Sequence, residues 1–278
     1  MEDGLHGFRR LEQAWTDELT PAQKADAYTW RIDSLDGMQD TLGRDAWEEK
    51  LLAELPQQQE ACARVLLSQA SRASERHNFA EAARLNARVV KQYPASSSYG
   101  AAQYNLGSSL ESLERHDDAI AAYSKLFPSQ VDDREPGAHL MENYRNYRHR
   151  AALRISACHE AKQDFDKALD WLEQAKTKYR YQTWCGTCAE SRRHWMATRK
   201  AELLTQAKRF DEALEMIDPV VMSLPGPRAG NTIQMARMMV EIYDQRDQLI
   251  LLAALLHERQ QEIEAARAKA GDDLSLIH

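Results

Sequence analysis

Residues 104–123 read YNLGSSLESLERHDDAIAAY, and this stretch decides the fold. Its apolar residues recur at the spacing of amphipathic helices, with a short polar break between two helical runs. Gly107 and Ala119 stand twelve residues apart. Small side chains at this separation let two antiparallel helices cross closely, with larger residues such as Tyr123 filling the space around the crossing.

The same pattern occurs four times along the chain. Its alanines are Ala82, Ala119, Ala168 and Ala213, and the small residues twelve positions earlier are Ala70, Gly107, Ser156 and Ala201. Four positions after the alanines come Asn86, Tyr123, Leu172 and Ile217, and seven positions after come Val89, Leu126, Ala175 and Val220. Four copies in register predict a series of stacked helix pairs.

These copies resemble the tetratricopeptide repeat family. The second copy carries the family's Leu-Gly, Ala and Tyr positions, and the first ends at Pro94, where the family often has a closing proline. The alanines are 37, 49 and 45 residues apart, against a family period of about 34. The resemblance covers about four degenerate copies over residues 60–222, with extra segments near 128–147 and 177–193. It implies an all-α fold, a right-handed α-α superhelix of antiparallel helix pairs.

The flanks are predicted to be helical caps. The chain has only 8 prolines and 11 glycines in 278 residues, which favours helices over turn-rich β structure. Residues 5–55 and 231–270 match the repeat pattern poorly, and we expect them to close the apolar ends of the stack. Residues 271–278 have no periodicity and read as a tail. We therefore expect residues 1–278 to form a single helical-repeat domain.

Three helix starts can be predicted from local signals. Thr20-Pro21 places a capping hydroxyl before a proline at the first helical position. Pro56 predicts the start of the helix that carries Cys62. A further helix is predicted to begin near Cys188 or Ala189 and to run through Leu204.

The charge balance excludes several classes of partner. The net charge is −7 and the pI is near 5.8, which argues against general nucleic-acid binding and against attraction to anionic membranes.

There is no apolar run long enough to span a bilayer. The N-terminus Met1-Glu2-Asp3-Gly4 lacks the order of a signal peptide, and four cysteines are too few for a disulfide framework. We expect a cytoplasmic protein without a cofactor.

The family resemblance also implies a concave groove lined by the first helix of each pair. The residues it assigns to peptide binding are Arg64, Tyr104, Asn105, Arg150, Arg154, Trp195 and Arg199, and the same positions include Leu67, Ser71 and Ser108. Arginines suit an acidic partner, because their forked donors match carboxylate oxygens.

Asn105, Arg150 and Arg154 fall on positions that grip a peptide's C-terminal carboxylate in chaperone-binding members of the family. Leu67 and Ser71 depart from that pattern, so a more general site for an acidic or polar peptide is the preferred prediction. The alternative is that the arginines pair with Glu160, Glu202 or other local carboxylates.

The motif Trp184-Cys185-Gly186-Thr187-Cys188 supports a competing hypothesis. It looks like the redox motif of thioredoxin-type proteins, although no strand precedes it. The two thiols could instead bind zinc together with His194, or with Cys158 and His159. A third interpretation is a loop with two inert thiols.

No phosphate-binding loop, nucleophile elbow or zinc-protease motif occurs. The run from Tyr144 to Arg150 could stack on RNA bases, but its tyrosines share one helical stripe, which is typical of packing. The sequence thus predicts a non-catalytic protein-interaction module, an adaptor or assembly scaffold that binds a peptide or helix. The alternative is a thiol-redox or zinc protein acting through Cys185 and Cys188. The oligomeric state stays open.

Overall fold

The computed structural model describes residues 19–128, 146–183, 185–222 and 229–275, and it describes the side chains of these residues except 229–231 and 266–275. Within these ranges all of the regular secondary structure is α-helical. The twelve helices are α1 Pro21–Gly37, α2 Thr41–Glu54, α3 Gln59–Glu75, α4 Phe79–Gln92, α5 Tyr99–Ser112, α6 His116–Ser124, α7 Tyr147–Ala161, α8 Phe165–Thr177, α9 Gly186–Gln206, α10 Phe210–Val221, α11 Ala229–Gln245 and α12 Leu249–Ser275.

The four sequence copies are helix pairs: α3/α4, α5/α6, α7/α8 and α9/α10. The small residues predicted at the crossings are all buried. In the third pair the crossing also carries a hydrogen bond, because the Ser156 hydroxyl donates to the Ala168 carbonyl at 2.6 Å. The all-α prediction and the predicted helix pairs are confirmed.

Among the described residues, six turns with the same backbone geometry each join two helices. The four sequence copies predict four of these turns. Each contains a residue with a left-handed backbone that is not glycine: Gln39, His77, Glu114, Gln163, Lys208 and Asp247. In each turn the following N–H donates to the carbonyl five residues earlier, at 2.8–3.0 Å. This is the Schellman helix ending. The flanking pairs α1/α2 and α11/α12 thus share the turn of the four copies.

The helices form two compact units, residues 1–131 and 132–278. In the first unit α1 contacts α3 and α3 contacts α5, so the first helices of successive pairs lie side by side. Its main core lies around fully buried Leu51, Cys62 and Leu66. The main core of the second unit gathers α9 to α12 around Ile217, Met239 and Ile242.

Two predicted helix starts need correction. The helix predicted at Pro56 begins at Gln59, because the Gln58 N–H first closes a turn onto the Leu55 carbonyl at 3.0 Å. The helix predicted near Cys188 begins at Gly186, so α9 takes in part of the extra segment near 177–193. The start at Thr20-Pro21 is confirmed, with a complete capping box to Gln23.

Some predictions lie outside the described residues. They are the parts of the N-terminal flank and tail at 5–18 and 276–278, most of the extra segment near 128–147, and Trp184. Of the tail predicted at 271–278, residues 271–275 are instead the last residues of α12.

Candidate functional site

A cavity of about 330 Å³ opens between α3, α4 and α5, and we call it the α3–α5 cavity. Three of its residues, Ser71, Asn105 and Ser108, hold positions that the family resemblance assigns to the groove. The first helices of two successive pairs therefore share one open site. The lining residues are Ala70, Ser71, Ser74, Glu75, Asn86, Asn105, Ser108 and Ser109.

The cavity follows from a difference between the first and second copies. Tyr123 is fully buried and fills the space beside Gly107, where an added Cβ would lie 2.5 Å from the tyrosine ring. At the equivalent positions the first copy has Asn86 and Ala70. Because asparagine is much shorter than tyrosine, it leaves space between the helices.

Asn86 is the polar member of a column that is apolar in the other three copies. It is 2% exposed, and its Nδ2 donates to the Ala82 carbonyl at 2.9 Å. Its Oδ1 has no hydrogen-bond partner among the described residues. Sequence reasoning placed Asn86 in the repeat but missed it as a site residue. The signal was available, since a lone polar residue in an apolar column is costly to bury.

Two serines and a glutamate contribute hydrogen-bond acceptors to the rest of the cavity. The Ser71 hydroxyl donates to the Leu67 carbonyl at 3.1 Å, and the Ser109 hydroxyl donates to the Asn105 carbonyl at 2.8 Å. Each hydroxyl oxygen keeps its lone pairs for a further donor. Glu75 is exposed and makes no ion pair with a residue of the described ranges. The site therefore presents amide, hydroxyl and carboxylate oxygens.

The other predicted site residues of the first unit lie near the cavity in sequence but do not line it. Arg64 is exposed, and its Nη2 donates to both carboxylate oxygens of Asp33 at 2.8 and 2.7 Å. Tyr104 is half-buried, and its ring packs on Tyr123 with 5.5 Å between centroids. Of the residues predicted to bind peptide in this unit, Asn105 lines the cavity, and Arg64 and Tyr104 do not.

In the second unit, Arg199 forms a local ion-pair network. Its guanidinium donates to Glu202 of the same helix at 2.9 Å and to Glu160 of α7. All three side chains are largely buried. This is the alternative that sequence analysis left open for the arginines, and it ties α9 to α7.

Trp195 lies beside an arginine that sequence analysis did not select. It is 43% exposed, and the Arg192 guanidinium lies 5.2 Å from its ring and 4.8 Å from the ring of Tyr181. Arg150 is exposed and Arg154 is half-buried, both on α7. The second unit thus places exposed cationic and aromatic groups on α7 and α9.

His149 is a buried histidine one residue before Arg150. Its Nδ1 lies 2.9 Å from the Tyr179 carbonyl and 3.1 Å from the Ala175 carbonyl, so this nitrogen carries the proton and donates. Burial lowers the pKa of His149 below its usual value. The neutral ring therefore holds the end of α8 against α7.

The thiol pair lies at the start of α9. Cys185 caps the helix, and the Cys188 N–H donates to its Sγ at 3.3 Å. Hydrogen bonds from Cys188 and Thr187 lower the pKa of the Cys185 thiol to about 7. No disulfide joins any two of the four cysteines. The described residues contain no group of three or more His, Cys, Asp or Glu that could hold a metal. His194 lies 3.8 Å from Glu190 instead. The redox and zinc alternatives thus have no support.

A second cavity, of about 270 Å³, lies among α2, α3 and α4. Its deepest side chain is Glu48, which accepts from Arg72 at 2.5 Å and from Gln69 at 3.0 Å. Because the buried Glu48 carboxylate is already paired with an arginine, we interpret this cavity as part of the packing between the helices and not as a binding site.

Among the described helices, none has the length and hydropathy needed to cross a bilayer.

The comparisons agree with this architecture. Residues 67–130 match the model of the tetratricopeptide repeat family. These are the residues of the α3–α5 cavity and the α5/α6 pair. No curated protein matches the chain.

Solved structures of helical-repeat proteins are similar to the chain. The MamA RS-1 ArsTM double mutant is 9% identical with a TM-score of 0.50, over 79% of this chain and 98% of that one. A Podosopora anserina putative kinesin light chain with TPR-like repeats is 16% identical with a TM-score of 0.47, over 71% and 93%. Pseudomonas aeruginosa pilF is 14% identical with a TM-score of 0.40, over 87% and 96%. The first of these likenesses supports the fold.

Proposed function

We propose that this chain, a tetratricopeptide-repeat protein, is a non-catalytic adaptor or assembly scaffold that binds a segment of a partner protein along the first helices of its pairs. Proteins of this fold generally serve as interaction scaffolds. Four cysteines are too few for a disulfide framework in a chain of 278 residues, and on that ground we place the protein in the reducing cytoplasm.

The α3–α5 cavity is the observation that carries the proposal. It lies where the first helices of two pairs meet, it is open, and seven of its eight lining residues are polar. A partner's backbone and side chains could exchange their water hydrogen bonds for those of the serines and asparagines. This is how an extended segment gains affinity in a polar groove.

In the second unit we propose that Arg150, Arg154 and Trp195 contact an acidic or polar stretch of a partner. Arg192 joins them because its guanidinium stacks on Trp195. Arg199 would have to leave Glu160 and Glu202 to bind a carboxylate, and so we assign it first to holding α7 and α9 together.

The test is a selection of peptides from a random phage-displayed library on the full chain. Ser71 is exposed and lines the cavity, so Ser71→Trp covers the site without disturbing the core. We expect enriched peptides whose binding falls at least tenfold on the Ser71→Trp protein.

The matched control is Ala121→Trp, which adds the same bulk at an exposed position of α6 away from the cavity. Peptides should bind this protein as they bind the wild type. A selection without enrichment, or peptides indifferent to Ser71→Trp, would remove the cavity from the proposal.

A further inference from the structure

The geometry points to a lysine of the partner segment as the occupant of the α3–α5 cavity, with the side-chain ammonium group among the cavity's acceptors. This inference rests on the proposed function and names the chemistry of one contact.

The orientation of the Asn86 amide is fixed by its surroundings. The atom that faces the Ala82 carbonyl must be an N–H donor, because two oxygens at 2.9 Å would repel. The amide oxygen is therefore the atom left without a partner. Asn86 is buried while Ser71 and Glu75 are exposed, so the asparagine lies on the deep side of the cavity and the carboxylate lies at its rim. The amide oxygen is itself buried, so an entering donor meets the serine oxygens and Glu75 first.

The serines strengthen this preference for a donor. Ser71 and Ser109 have each committed their proton to a carbonyl of their own helix. What they offer to a ligand is oxygen lone pairs. A carboxylate would meet these two oxygens and the like charge of Glu75, and the donors left for it would be those of Asn105, Ser74 and Ser108.

The charge of the lining is negative. Glu75 is the one charged residue among the eight that line the cavity, and it has no ion-pair partner among the described residues. A cation would therefore gain both an opposite charge and neutral acceptors. This is the reverse of the chemistry that the arginines of the second unit offer.

Size and geometry favour lysine over larger cations. Ligand pockets range over roughly 300–1,000 Å³, so a cavity of about 330 Å³ suits one side chain. Apart from the two oxygens of Glu75, the acceptors are single oxygens on three different helices. A compact ammonium with three donors fits such a set, whereas guanidinium forks prefer two parallel oxygens.

The repeat pattern gives a reason to keep Asn86. Tyr123, Leu172 and Ile217 occupy the same place in the other copies and are buried in the core. An apolar side chain at position 86 would close the cavity and remove the vacant acceptor. Retaining the amide is costly for folding, and binding a donor offsets that cost.

The experiment measures binding of four pools of heptapeptides to the full chain. All peptides are N-acetylated and C-amidated, with random flanks and a central lysine, norleucine, arginine or glutamate. N-acetylation leaves the side chain as the source of the ammonium group. We expect the lysine pool to bind at least fivefold more tightly than the norleucine and glutamate pools. We also expect amide chemical-shift changes for residues 70–75 and 105–109.

Variants separate this contact from general groove binding. Glu75→Gln should reduce the lysine preference to less than twofold, and Glu75→Lys should reverse it in favour of the glutamate pool. Glu114→Gln, an exposed carboxylate outside the cavity, is the control and should leave the preference unchanged. Glu75 is exposed, so these changes should not disturb folding.

Equal binding of the lysine and norleucine pools, including no binding of either, would overturn the inference. So would preference for arginine, or a lysine preference that survives Glu75→Lys. If phage peptides depend on Ser71 but do not require lysine, the proposed function stands and the lysine contact falls. If the lysine pool binds with the expected preference while the phage selection yields no enriched peptides, the cavity is a lysine site and the proposed binding of a longer segment along the first helices falls.

Discussion

At the residue scale, Gly107 and Tyr123 show how one close contact sets the geometry of a helix pair. The two residues belong to α5 and α6, and three atoms of the tyrosine ring lie 2.5–2.8 Å from where a Cβ of residue 107 would be. Since Tyr123 is fully buried, its ring has no free space into which it could move. The pair can approach this closely because position 107 has no side chain.

We predict that Gly107→Ala destabilises the protein by about 1–3 kcal/mol, the usual cost of overpacking a core. Helix propensity alone would give the opposite sign, because alanine is better than glycine in a helix by roughly 1 kcal/mol. Urea unfolding followed by circular dichroism would measure the difference.

Gly37→Ala is the control for this prediction. No atom lies within 4 Å of a Cβ built there, so the change should be neutral or stabilising. Equal effects at the two positions would contradict the role assigned to the Tyr123 ring.

Part of the candidate site could be predicted from the positions of its residues in the repeat, and part could not. Asn105, Ser71 and Ser108 follow from the repeat register and line the cavity. The residues assigned to the groove from the repeat register include neither Asn86 nor Glu75, and the one sequence signal for Asn86 is that it is polar in an otherwise apolar column. Whether a buried amide oxygen has a partner depends on three helices, and a single sequence does not show it.

At the element scale, the helix pairs were predictable where small residues mark the crossings. The flanking pairs α1/α2 and α11/α12 lack that pattern, but their turns are the same. These turns are hard to recognise in the sequence. Helices that end in this way usually have glycine in the left-handed conformation, whereas here Gln39 and Asp247 adopt it. Helix starts were shifted where a short turn precedes the first helical residue, as before Gln59.

His149 provides a pH-dependent link between α7 and α8. Because burial lowers its pKa, the folded state favours the neutral ring, whereas the unfolded chain binds the proton near pH 6.5. Its contribution to stability is thus complete above about pH 6.5 and is lost as the pH falls below that value. We predict that wild-type protein loses more free energy of unfolding between pH 7 and pH 5 than His149→Gln does.

The measurement is urea unfolding at several pH values. His257→Gln, at an exposed position of α12, should keep the wild-type dependence on pH. The assignment fails if His149→Gln and wild type show parallel curves. Arg192 and the Tyr181 ring lie close to His149. Both residues are the same in the wild type and in His149→Gln, so the difference between the two pH curves reports on His149.

At the scale of the whole molecule, the two compact units raise the question of independent folding. The first unit, residues 1–131, contains α1 to α6 with contacts between successive pairs. Stability in repeat proteins comes from neighbouring pairs, so a block with its own core can fold alone. The sequence predicted a single domain over 1–278, and that stays a prediction.

We predict that a fragment of residues 1–131 is helical by circular dichroism and unfolds cooperatively in urea. A fragment of residues 1–78 is the control. It separates α3 from α4 and exposes the core around Leu66, so it should unfold without a cooperative transition. A 1–131 fragment without cooperativity would favour the single domain.

The six turns have one further consequence for the chain as an evolving sequence. A residue with a side chain pays roughly 1–2 kcal/mol in the left-handed region relative to its preferred conformations. Gln39, Glu114, Gln163 and Lys208 are exposed there. Glycine at these surface positions would relieve that strain without touching a core or cavity residue. The protein therefore has room to tolerate destabilising mutations in its helices, provided that compensating changes arise at these turns.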